Sequence, residues 1–302
     1  MSLIVTGSIG IDTVITPNDK AEEVLGGSCT YFAAAASFFT PVRLVGAVGE
    51  DFPDHLLEVF QHFGVDTAGL EKRAGSRTFR WTGEYHANMN DRDTKDVQLG
   101  VLAEALPPVP DAYKDSKYVF LANTHPAGQM SLLDNFPDAR IVVADTMDLW
   151  INEANDELKA LMKKLHGLVL NDSEAQLLTG ESNMIRAAEA IIAMGPKFVV
   201  IKKGEHGCLL KHADGMGVMH AFPSANVVDP TGAGDSFAGG MMGHLAEVGR
   251  TDFKAIKRAL AYGTIVASYN IESFTLGRLR EISRADIDRR LEEYADAVSF
   301  EA

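Results

Sequence analysis

Asp229-Pro230-Thr231-Gly232-Ala233-Gly234-Asp235-Ser236-Phe237 reads as a turn that carries an extended segment into a helix. Gly232, Ala233 and Gly234 bear little or no side chain, so their backbone N–H groups are free to converge on an anion. The helix expected from about Gly234 adds the positive end of its dipole, which favours phosphate. Asp235 then falls in the first helical turn, among the same donors. A lone acid there would simply cap the helix. Capping needs no bare backbone before it, so the small residues point to a second role. A carboxylate beside a phosphate cradle has the chemistry of a general base taking a proton from an attacking hydroxyl.

Outward from this turn, short apolar runs at 3–9, 42–48, 118–122, 141–144, 168–170 and 198–201 predict strands. Between them Phe52, Leu56, Leu57, Phe60 and Phe63 share one helical face, as do Ile185, Ala188, Ile191 and Ile192. Continuously apolar strands alternating with amphipathic helices predict an α/β fold, a mostly parallel sheet covered on both faces. Ligands of such sheets bind beyond the strand carboxyl ends. Two segments break the alternation. Residues of roughly 12–25 and 77–101 are extended and polar, with Phe79, Trp81 and Tyr85 in partial period-two spacing and a turn at Asn88-Met89-Asn90-Asp91. They predict a small sheet beside the main body, as an edge extension or as a lid.

Composition sets further bounds. The 302 residues are 46% hydrophobic and 23% charged, with a formal net charge of -14. That balance argues against nucleic acid and anionic membrane as partners, which require a basic face. An anionic ligand must then be held by local donors and metal. Cys29 and Cys208 are the only cysteines, too few for a zinc cluster or disulfide framework, so a cytoplasmic location is expected. The start, Met1-Ser2-Leu3, lacks a basic leader, and the apolar run 31–39 is too short to span a bilayer. The chain contains no GxSxG elbow, Walker A sequence, Rossmann GxGxxG or HExxH.

The 229–237 stretch resembles the C-terminal signature of the PfkB, or ribokinase-like, family of carbohydrate and nucleoside kinases. Matching features at Gly26-Gly27, Asn171 to Glu174 and Lys203 to Gly207 extend the resemblance through nearly the whole chain. It implies a three-layer α/β/α sandwich over 1–302 with a small β lid, ATP and magnesium as cofactors, and a sugar or nucleoside as acceptor. It further implies Asp235 as general base with Gly232, Ala233 and Gly234 as the anion hole. By the same resemblance Asn171 and Glu174 orient magnesium through water, and Lys202, Gly204, Gly207 and Thr231 face the nucleotide. Asp229 with Thr231 would help hold a potassium ion. Asp12 with Gly26-Gly27 would bind acceptor hydroxyls, Asn123 would make a further contact, and the lid would also pair two copies of the chain.

Each assignment has a plainer alternative. Asp172 or Ser173 would cap the helix after 168–170. The 204–207 loop would be an ordinary hairpin into 208–211, and Asp12 an Asx turn after Gly10. The chain departs from sugar kinases at Tyr31, where they usually carry Asn; a phenol lacks the amide's paired donor and acceptor. That departure favours a nucleoside or aryl-bearing sugar, with Trp81, Tyr85 and His86 available to stack on a base. The rival functions are a vitamin kinase of the same fold and a relative that binds nucleotide or sugar without turnover.

Overall fold

The computed structural model describes residues 2–299. Met1, the first residue of the expected leaderless start, and residues 300–302 lie outside them. The first part of the chain forms β1 (Leu3–Thr6), β2 (Gly10–Ile15), β3 (Lys20–Gly26), α1 (Ser28–Ser37), β4 (Val42–Gly49), α2 (Asp54–His62) and β5 (Asp66–Arg73). Then come β6 (Phe79–Tyr85), β7 (Arg92–Gln98), β8 (Tyr118–Leu121), α3 (Pro126–Leu133), β9 (Ile141–Asp145), α4 (Asp148–Glu153) and α5 (Asn155–Met162). The remainder is β10 (Gly167–Asn171), α6 (Asp172–Thr179), α7 (Met184–Ala193), β11 (Phe198–Lys202), β12 (Cys208–His212), β13 (Gly215–Met219), α8 (Ala233–Val248), α9 (Phe253–Asn270) and α10 (Arg284–Val298).

Nine strands form the main sheet in the order β13-β12-β11-β10-β9-β8-β1-β4-β5. All its pairs are parallel except β11–β12 and β12–β13. Period two sorts the side chains between two cores. Leu3, Val5, Tyr118 and Phe120 enter the core shared with α1, α8 and α9. Ile4, Val119 and Leu121 enter the core shared with α5, α6 and α7. Both faces are thus covered, the three-layer α/β/α arrangement expected of continuously apolar parallel strands. The strand order runs one way from β1 to β4 and the other way from β8 to β9. A crevice therefore opens at the carboxyl ends of β1 and β8, where ligands of such sheets bind.

The smaller sheet has the order β3-β2-β6-β7. Its outer pairs are antiparallel, but β2 and β6 run parallel. It is a separate sheet, not an extension of the main sheet's edge.

Several expected boundaries move. The apolar run 3–9 is not one strand: the chain leaves the main sheet at Thr6 and re-enters structure at Gly10, in the small sheet. Gly7 lies in the break, where a β-carbon would come within 2.7 Å of the Ala122 β-carbon. Asp12 accordingly lies inside β2, where the pairing with β3 shifts register between Asp12 and Val14. It does not form a loop turn. The largely polar β5 and the glycine-interrupted β13 carry no continuous apolar run and were invisible to that pattern; both are edges. Among the described residues no helix is long and apolar enough to cross a membrane.

Candidate active site

A cavity of about 780 Å³ lies between the two sheets and the start of α8. The main sheet contributes Asp145, Asn171 and Lys202 from the ends of β9, β10 and β11, and the small sheet contributes Asp12, Trp81, Tyr85 and Arg92. Gly232, Ala233, Gly234 and Asp235 line it from the turn into α8.

The turn is braced from below. Asp229 is fully buried, and its carboxylate accepts the amide of Thr231 at 2.8 Å and that of Thr275 at 3.3 Å. Asn270, on α9, donates to the Thr231 carbonyl at 2.8 Å and accepts the Ser236 hydroxyl at 3.1 Å. Gly232 turns the chain with φ +74°, in the left-handed region that favours glycine. Its α-carbon rests on the ring of Tyr31, so a β-carbon there would collide with that ring. Tyr31 is buried beneath the turn and also lines the cavity.

The free amides differ in one respect from the expectation. The Ala233 N–H donates to the Pro230 carbonyl at 3.1 Å, so it is already committed. Among the described residues no acceptor meets the amides of Gly232 or Gly234, whereas the Asp235 amide turns toward its own carboxylate. Those of Gly232 and Gly234 are the donors left at the head of α8. Lys202 reaches the same place, its Nζ lying 2.6 Å from where a Gly234 β-carbon would stand. Lys202 thus faces the cavity, and Lys203 is not among its lining residues.

Asp235 stands among these cations and donors. Burial raises its pKa to about 6, with Lys202 and Arg92 pulling down and Glu174 pushing up. An acid near 6 is ionised at neutral pH yet more basic than an ordinary aspartate, which suits a proton acceptor.

Asn171 and Glu174 form a reciprocal capping box at the start of α6. The Asn171 Oδ1 accepts the Glu174 amide, and the Glu174 Oε2 accepts the Asn171 amide, each at 2.7 Å. The cap is therefore Asn171 itself, not Asp172 or Ser173. Each side chain keeps unused polar atoms, and both line the cavity. Burial raises the Glu174 pKa, while Lys202 opposes it.

The loop after β11 is a tight hairpin. Gly204 approaches the small sheet, whose Asn90 donates to Glu205 at 3.1 Å. Gly207, at φ +82°, has no room for a side chain beside the Met219 carbonyl. The small sheet also touches the turn, where the Thr231 hydroxyl donates to the Tyr85 phenol oxygen at 3.1 Å. It therefore straddles the cavity.

At the other end the Asp12 carboxylate presses on the α-carbon of Gly26. Its Oδ1 is buried without a hydrogen-bond partner. Burial raises its pKa to about 7, tempered by the Gly27 amide. Asn123 lines the cavity, but its amide is largely engaged: Oδ1 accepts from Trp150 Nε1 at 2.8 Å, and Nδ2 meets the Met147 sulfur at 2.9 Å.

Asp145 was not anticipated. It ends β9, is only 6% exposed, and its Oδ1 has no partner. Burial, then the charge of Asp235, raise its pKa strongly. Buried unpaired carboxylates are costly and mark sites of ligand or proton traffic. In sequence it is one more polar residue closing an apolar run, so only its position at the carboxyl end of a parallel strand was a clue.

This arrangement of bare amides, lysine and buried acids at strand carboxyl ends suits the binding of a phosphoryl group. A model of the pfkB family of carbohydrate kinases matches residues 8–276, and the chain belongs to that family. A cytidine kinase of Thermococcus kodakarensis is 29% identical over 252 residues, covering 80% of this chain and 87% of that protein. The nucleoside kinase of Burkholderia thailandensis, solved in complex with inosine, superposes with a TM-score of 0.78 at 20% identity, covering 97% of this chain and 98% of that one. An aminoimidazole riboside kinase from Salmonella enterica gives a TM-score of 0.76 at 20% identity, covering 96% and 100%. The last two bear on the fold alone.

Proposed function

We propose that this protein transfers the γ-phosphoryl group of ATP to an alcohol of a nucleoside. The observation that carries the reading is the convergence of Asp235, Lys202 and the two uncommitted amides of Gly232 and Gly234 on one wall of the cavity that Asp12 enters from the other end. Asp12, beside Gly26-Gly27, receives an acceptor hydroxyl. Asp235 takes the proton of the attacking hydroxyl as its oxygen bonds to the γ-phosphorus. The bond from that phosphorus to the bridging oxygen breaks, and ADP leaves. The amides of Gly232 and Gly234 and the Lys202 ammonium stabilise charge on the transferring group. Thr231, Gly204 and Gly207 border the nucleotide.

Magnesium fits the acids present. Glu174 and Asn171 retain free polar atoms, and the orphaned Oδ1 of Asp145 lies in the same cavity. A sparse oxygen set suits an ion that keeps most of its waters. When bound, it would neutralise phosphate charge. Potassium, which the resemblance implies, would draw on the remaining lone pairs of the Asp229 carboxylate. The small sheet serves as the lid, excluding water from the reaction; its exposed edges would also pair two copies.

Support for a nucleoside comes from the aromatic wall of Phe79, Trp81 and Tyr85 and from the relation to the cytidine kinase. An ADP-release assay with ATP and magnesium against nucleosides, free sugars and sugar phosphates tests it. Turnover is expected on nucleosides first. Exclusive activity on sugars or their phosphates would overturn the acceptor assignment, and ATP binding without turnover on any class would overturn the kinase.

The pH profile has a defined sign. Asp235 and Asp12 must shed protons to accept hydroxyl hydrogens, with pKa values of about 6 and about 7. Thus kcat/KM is expected to fall as pH drops below about 7 and to level off above it. A profile flat from about pH 5 to 8 would contradict both roles.

A further inference from the structure

The small sheet carries a cation that the mechanism above leaves unused. Arg92 opens β7 and stands across from Tyr85 in the β6–β7 ladder. Tyr85 is the residue through which the small sheet touches the turn before α8, by its hydrogen bond with Thr231. The ladder therefore brings Arg92 to the cavity that Asp235, Glu174 and Lys202 also line. Its guanidinium lies over the Trp81 ring, 5.5 Å from the centroid. Stacking of this kind orients the planar fork without consuming its donors.

What distinguishes Arg92 is its lack of an acid. The nearby Arg77 and Arg80 pair with Asp51, and Arg80 also with Glu23. The adjacent Asp93 is taken by His86 and Lys95. Among the described residues no carboxylate lies within ion-pair distance of Arg92. It nevertheless lines the cavity that holds the transfer centre, together with Asp235 and Lys202. In a chain of net charge -14, an aromatic-stacked arginine facing the cavity without an acid fits a phosphoryl group. Two sources could present one, the nucleotide or a phosphorylated acceptor. Its ladder partner Tyr85 meets Thr231, in the turn that leads into Asp235, which favours the nucleotide.

We propose that Arg92 is a catalytic residue delivered by the small sheet, its guanidinium binding the phosphoryl group in transfer. This rests on the kinase reading. Charge on the group's equatorial oxygens would then be shared by Arg92 from the lid side and by the amides and Lys202 from the α8 side.

The test uses the full chain with the nucleoside that gives the highest turnover, in wild type, Arg92→Ala and Arg92→Lys. Removing one such donor is expected to lower kcat about 100-fold, with acceptor KM and ADP affinity within about threefold of wild type. Guanidinium ion added to Arg92→Ala is expected to restore part of the rate, and Arg92→Lys to fall between. Binding of ADP with aluminium fluoride and the nucleoside is expected to weaken in Arg92→Ala, while binding of ADP alone does not.

Unchanged kcat in Arg92→Ala beside an active wild type would overturn this inference alone. So would a raised acceptor KM with kcat preserved, most clearly if confined to phosphorylated acceptors, because Arg92 would then bind the acceptor. Absence of transfer by the wild type on every acceptor would overturn the kinase reading and this inference together.

Discussion

Asp235→Asn is expected to abolish most turnover, by about 10²–10⁴-fold, while ADP and ATP still bind. The amide keeps the shape of the carboxylate but cannot take the acceptor proton. The same substitution is expected to stabilise the fold. The pKa of Asp235 is raised by burial to about 6 from 3.8, so ionising it in the folded state costs free energy. That cost is absent below the unfolded pKa, grows as pH rises between the two values, and is complete above about 6. It amounts to at most about 3 kcal/mol. Thermal unfolding should therefore show Asp235→Asn a few degrees above wild type at pH 7.5, with the difference fading toward pH 4. Near-normal turnover would end the general-base assignment. A melting temperature that is lower at pH 7.5 would show that the carboxylate is paired rather than strained.

The second large effect concerns the floor of the turn. Gly232→Ala places a methyl group against the Tyr31 ring and asks alanine to hold φ +74°. The left-handed conformation costs roughly 1–2 kcal/mol, and overpacking a rigid site typically adds about 1–3 kcal/mol. Lower stability and a turnover loss of at least about tenfold are expected, because the amide beside the methyl shifts off the transferring group. Tyr31→Leu in the Gly232→Ala background makes room for the methyl but leaves the backbone cost. It is expected to recover part of the stability, read by denaturant unfolding. A double variant no more stable than Gly232→Ala would mean that the ring is not what the methyl strikes.

The legible part of this protein was local. The 229–237 turn, the Asn171–Glu174 helix start and the hairpin after β11 each announce themselves by residue type at fixed spacing. Glycine where no side chain fits, an amide-and-acid pair at helical spacing, and apolar runs of strand length are constraints that neighbouring residues impose on one another. The alternation of strands with amphipathic helices likewise specified a layered α/β sheet, since only a doubly covered sheet hides continuously apolar strands. The extended, polar segment of roughly 12–25 and the aromatic alternation from Phe79 marked the second sheet.

Roles that depend on distant partners were not legible. Asp145 closes an apolar run as any polar residue might; its isolation follows from β9 lying between β8 and β10 with its carboxyl end opening into the cavity. Arg92 sits in the polar run Arg92-Asp93-Thr94-Lys95, and only the ladder with β6 shows which cation lacks an acid. Tyr31 reads in the sequence as a substitution in the acceptor site, and only the fold shows that its ring also lies under the Gly232 α-carbon. Spacing along the chain encodes what neighbouring residues can form, whereas burial, charge pairing and the Asp235 pKa are sums over groups that meet only after folding.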